Sequence, residues 1–110
     1  MRIEKVNELI SQELGRIIQE EIEFEPGVMA TIMRTDTSET LENATVYISI
    51  FPEAKRGSAI GLLNEKIGDL QKLLNRRLFL RFVPKILFKI DDSVVFLSEL
   101  DKTFDEIREK

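Results

Sequence analysis

Lys72, Arg76, Arg77, Arg81, Lys85 and Lys89 fall within 18 consecutive residues that contain no carboxylate. Guanidinium groups make bidentate phosphate contacts and stack on flat rings, while ammonium groups act as point charges. The chemistry this run offers is the gripping of a polyanion. It stands out because the chain as a whole is acidic, with a formal net charge of −4. Outside the run, ten basic residues face twenty acidic ones. Such segregation suggests one face for a polyanion on a body that repels phosphate elsewhere. The plainer alternative is a solvated face whose cations pair with the acidic N-terminal helix.

Other chemistry is poorly provided for. The chain has no cysteine and no histidine, so it lacks a thiolate, the commonest metal ligand and the usual neutral-pH general base. The dense carboxylates are Asp91-Asp92 and the run Glu20, Glu21, Glu23 and Glu25. Helix capping accounts for the first group and solvation for the second. Catalysis is not expected, and neither a metal nor a cofactor is called for. At 110 residues with 43% hydrophobic and 33% charged side chains, the composition is that of a globular protein. One domain over 1–110 is expected, as a monomer. No stretch nears 18 apolar residues, and no basic segment leads into an apolar one at the start. A cytoplasmic, membrane-independent protein is the expectation.

The elements that must position the cations follow from apolar spacing. Over 2–23, Ile3, Val6, Leu9, Ile10, Leu14, Ile17, Ile18 and Ile22 recur in steps of mostly three and four and predict an amphipathic helix ending before Pro26-Gly27. Residues 28–36 alternate only loosely but are β-prone; 44–51 alternate well, with Val46, Ile48 and Ile50 on one side. The polar residues between them supply a turn, giving an antiparallel pair that stops at Pro52. Ile60, Leu63, Ile67, Leu70, Leu74 and Leu78 then mark a helical stretch from Glu53 to Leu78. Gly57, Gly61 and Gly68 interrupt it, which suggests two helices with a bend, best placed at Gly68. A third strand follows Val83-Pro84 with Ile86, Phe88 and Ile90 inward and Lys85, Leu87 and Lys89 outward. Asp91-Asp92-Ser93 can cap a last helix with the stripe Leu97, Leu100, Phe104 and Ile107. Helices covering one face of the sheet give a two-layer α+β domain.

This order, helix-strand-strand-helix-bend-helix-strand with a C-terminal helix, is the type II KH topology. Four stretches carry a narrower resemblance: Val6-Asn7-Glu8-Leu9-Ile10 with Glu13-Leu14; Leu41 to Ser49, read as L-x-x-A-x-V-Y-[IV]-S; Leu74 to Leu80, read as L-x-x-R-L-x-L; and Arg81 to Phe88, read as R-x-V-P-x-[IL]-x-F, followed by Asp91-x-Ser93. Taken together, in this order, the chain resembles the ribosome-binding factor A family over nearly its whole length. The resemblance implies a non-enzymatic assembly factor that binds the free 30S small ribosomal subunit. It further implies assistance to late 16S rRNA maturation, including 5′-end processing, above all in cold adaptation.

Two departures are visible. Where the family places Ala-x-Gly at the bend, this chain reads Lys66-Ile67-Gly68, and no two of its glycines have the G-x-x-G spacing of backbone-clamping KH domains. Lysine there either adds a phosphate contact or changes local packing. The first is favoured, because its long stem can keep the ammonium in solvent. Thr40 stands where the family often has aspartate, which should alter only a turn.

The expected RNA-binding set is therefore Lys66, Gly68, Lys72, Arg76, Arg77, Arg81, Lys85 and Lys89, gathered on one surface. At 100° per residue, Lys72 and Arg76 fall opposite the Leu74 stripe and Arg77 on its flank. Most aromatics fit the core, and only Phe79 and Phe82 lie among the arginines, so base stacking is the less favoured reading. Recognition should then read RNA shape and phosphates rather than a sequence. A protein-interaction module docking acidic proteins on the same cations is the alternative.

Overall fold

The computed structural model describes residues 2–91. Helix α1, Ile3–Glu21, turns Val6, Ile10, Leu14, Ile17 and Ile18 into the core. It ends at Ile22, which is extended, and Gly27 takes a left-handed φ of 85° in the turn that follows. That backbone geometry costs glycine nothing and a side chain something.

Strands β1, Met29–Thr37, and β2, Asn43–Phe51, pair antiparallel. Strand β3, Lys85–Ile90, adds to β2 in parallel, so the order is β1-β2-β3. The described helices lie on the face where Val46, Ile48, Ile50, Ile86 and Phe88 are buried. A register shift between Ile32 and Arg34 explains the loose alternation of β1. The extra residue of the bulge moves the inward set from Ala30 and Ile32 to Thr35 and Thr37. Both threonines are buried and both are satisfied by α1. Ser11 and Thr35 share a hydroxyl hydrogen bond of 2.7 Å, and the Thr37 N–H donates to Asn7 Oδ1 at 2.9 Å.

Parallel strands need a crossover, here a 3-10 turn at Glu53–Lys55 leading into α2, Arg56–Glu65, and α3, Ile67–Arg77. The break between α2 and α3 falls at Lys66 rather than at Gly68. Lys66 ends one helix and starts the next, with φ −95° and ψ 1°. Its N–H donates to the Leu62 carbonyl and its own carbonyl accepts from Leu70 N–H at 3.0 Å. A ψ near zero reorients the chain without requiring glycine, since this bridge region is open to any residue. Ala59, Leu63, Leu70 and Leu74 anchor both helices in the core. The expected helix over Leu97, Leu100, Phe104 and Ile107 lies outside the described residues.

Candidate nucleic-acid interface

Leu70 and Leu74 must face the sheet, and this fixes the rest of α3. Lys72 and Arg76 are exposed on the side away from the core, and Lys66 is exposed at the break. Gly68 is exposed as well, and a Cβ built there would meet nothing within 4 Å. The Lys66–Gly68–Lys72–Arg76 surface thus combines three cations, with the exposed Glu65 and Asp69 beside them, and a point where a ligand can approach backbone closely.

Arg77 has a different role. Its Nη2 donates to Glu20 Oε2 at 2.7 Å, tying the end of α3 to the end of α1. The hydrogen bond to Glu20 raises the Arg77 pKa, and Glu13 and Glu21 add attraction. Here the plainer alternative for the basic run is correct: this cation pairs with the acidic helix. Arg81 lies in the connection after α3, with its guanidinium 5.6 Å from the Phe82 ring centre.

The expected single surface is divided between the two layers. Because Ile86 and Phe88 are buried against the helices, period-two alternation sends Lys85 and Lys89 to the open face of the sheet. There Lys89 is the register partner of Tyr47, and Tyr47 that of Arg34. The Arg34 guanidinium stacks on the Tyr47 ring at 4.1 Å. Arg34 stands far from the basic run in sequence, and nothing in its neighbours singles it out. Only the β1 bulge brings it to the outer face, and loose alternation is the one trace of that bulge.

Four other cations are paired with carboxylates: Lys5 with Glu8, Arg16 with Glu13, Lys55 with Glu25, and Arg56 with Glu53. Among the described residues, no ion pair involves Lys66, Lys72, Arg76, Arg81, Lys85 or Lys89. All six are exposed. Among the described residues, no group of three or more acidic side chains is placed to hold a metal, and no helix is long and apolar enough to cross a membrane.

Helix-strand-strand-helix-helix-strand in two layers, with cations at the break between the paired helices, defines a KH-like α+β protein. The sequence model of the family described as Ribosome-binding factor A matches residues 2–104, and the chain belongs to that family. A ribosome-binding factor A of Clostridium botulinum (strain Eklund 17B / Type B) is 34% identical, over 96% of this chain and 94% of that protein. One from Akkermansia muciniphila is 32% identical, over 92% and 86%. The crystal structure of ribosome-binding factor A from Thermus thermophilus superposes with a TM-score of 0.69 at 21% identity, covering 81% of this chain and 94% of that one. A Thermus thermophilus ribosome binding factor A model, fitted into a cryo-EM map of a 30S complex, gives 0.59 at 24% identity, covering 76% and 93%.

Proposed function

We propose that this protein, acting as one KH-like domain over 1–110, binds the free 30S ribosomal subunit and assists late 16S rRNA maturation, including processing of the 5′ end. The observation that carries this reading is the exposed cations Lys66, Lys72 and Arg76 around Gly68, in no ion pair among the described residues, on an otherwise acidic molecule of the ribosome-binding factor A family. Two related proteins bear the ribosome-binding name at over 30% identity. A structural neighbour was fitted into a 30S complex.

The mechanism is binding, not bond-making. Three cations neutralise phosphates of a maturing RNA segment and hold it in one arrangement. The acidic remainder limits attachment to other RNA. Lys85, Lys89 and Arg34 cannot touch the same strand as α3, since a two-layer fold separates them. Three phosphate contacts predict a slope of log affinity against log salt of about −2 to −3. Co-sedimentation with purified free small subunits over a salt series tests this, with an acidic protein of matched charge as competitor. Loss of binding with salt at that slope is expected. Salt-independent association, or full displacement by the acidic protein, overturns the RNA reading. In cells lacking the protein, precursor 16S rRNA with an unprocessed 5′ end should accumulate, most strongly in the cold.

A further inference from the structure

A groove of about 500 Å³ lies between the first turn of α1, the β1–β2 turn and the α3–β3 connection. Its walls are Val6, Leu41, Leu80, Phe82, Val83 and Pro84. Three features around it work against folding. Phe82 is 77% exposed, and neighbouring Phe79 is wholly exposed. Leu41 holds a φ of 64°, a left-handed conformation that bulky side chains avoid, at the point where glycine usually closes such a turn. The turn is otherwise well made: Leu41 N–H donates to the Ser38 carbonyl, and Ser38 N–H to that of Asn43. Leucine is therefore not there for the turn. Its side chain, like the Phe82 ring, forms a wall of the groove.

The charges around the groove select its occupant. Arg81 stands at its mouth with its guanidinium near the Phe82 ring, and Arg76 lies in the last turn of α3, just before this connection. Thr40 adds a hydroxyl and Glu42 a carboxylate to the lining, so the groove carries a negative charge as well as the Arg81 cation. A flat apolar ring complements the Phe82 and Leu41 walls. An attached anion on the Arg76–Arg81 side complements the guanidinium groups, and N–H donors on the ring edge complement the Glu42 carboxylate. A volume of this order is that of a small-ligand site. Resting on the RNA-binding reading above, we propose that the groove captures one unpaired nucleobase of an RNA strand. The base stacks on Phe82 beneath Leu41, while its backbone follows Arg76 and Arg81.

The chain contains no tryptophan, so Phe82→Trp places a unique emitter in the groove. Its emission should be quenched by a short unstructured single-stranded RNA and not by duplex RNA of the same composition. Phe82→Ala should weaken single-strand binding about tenfold while leaving the unfolding midpoint unchanged, because the ring is outside the core. Leu41→Gly should weaken binding without lowering that midpoint. Three results overturn the proposal: a tryptophan unmoved when single strands or small subunits saturate the protein, equal quenching by duplex, or quenching by an amphipathic peptide alone. Co-sedimentation of the unaltered protein with small subunits separates the two readings. If that binding persists while the reporter stays silent, the groove assignment fails and the ribosomal function stands.

Discussion

Arg77 at the end of α3 and Glu20 at the end of α1 are 57 residues apart in sequence and joined by a hydrogen-bonded ion pair of 2.7 Å. The pair bridges the ends of the two helices and withdraws one arginine from the surface offered to ligands. The hydrogen bond to Glu20 places the Arg77 pKa above its ordinary value. A cation with a raised folded pKa contributes fully below its unfolded pKa, and loses that contribution only as pH rises through the folded one. The Arg77 contribution therefore persists from neutral into strongly alkaline solution. Arg77→Glu should lower the thermal midpoint, and adding Glu20→Arg should restore it. Arg77→Ala should leave small-subunit binding closer to wild type than Arg76→Ala does. Thermal unfolding and co-sedimentation check the two statements.

Lys72 and Arg76 are exposed, opposite the buried face of α3, and in no ion pair among the described residues. Lys72→Glu combined with Arg76→Glu should leave the unfolding midpoint within experimental scatter and weaken small-subunit association at least several-fold. The salt slope should flatten by about 1.5 to 2 as two phosphate contacts vanish. An unchanged slope would remove this face from the interface.

Gly68 lies in the first turn of α3 without a left-handed φ, and a Cβ there meets nothing. Gly68→Ala should stabilise the fold by about 0.5–1 kcal/mol by helix propensity. If RNA backbone approaches at this point, the same methyl group should weaken subunit binding. Denaturant titration and co-sedimentation of one variant then move in opposite directions, which a purely structural glycine would not produce.

Gln71 links α3 to the edge strand. Its Oε1 accepts from the buried Ile86 N–H at 2.8 Å, and its Nε2 donates to the Pro84 carbonyl at 3.1 Å. Gln71→Ala orphans both backbone groups and should cost about 1–3 kcal/mol. Leu74→Ala, which empties a fully buried site, should cost about 2–5 kcal/mol. Chemical denaturation measures both. The Gln71 change should also raise amide exchange at Ile86, where the Leu74 change acts only through global stability.

Periodicity makes most of the fold readable. The α1 stripe, the β2 alternation and the outward Lys85 and Lys89 on β3 are one-dimensional patterns, because burial repeats every 3.6 or 2 residues along a single element. Where a pattern breaks, the reading weakens. The bulge after Ile32 shows in sequence only as loose alternation, and it carries Arg34 out of view. Sequence favours Gly68 for the helix break because it is a glycine with apolar periodicity continuing on both sides. Lys66 makes the break instead, through a ψ near zero that leaves no compositional mark.

The chain by itself determined which residues are apolar enough to build a core and that six cations stand together in sequence, and its motifs pointed to a family. Periodicity gave the side of each element on which a cation stands; how those elements stack, and so which cations share a surface, belonged to the tertiary structure. Packing Leu70 and Leu74 inward turned Lys72 and Arg76 to solvent and brought Arg77 against Glu20. Burying Ile86 and Phe88 sent Lys85 and Lys89 to the far side of the sheet. Charges adjacent along a chain repel or cooperate only after folding sets the distances between them, and those distances are decided by the apolar contacts of other residues.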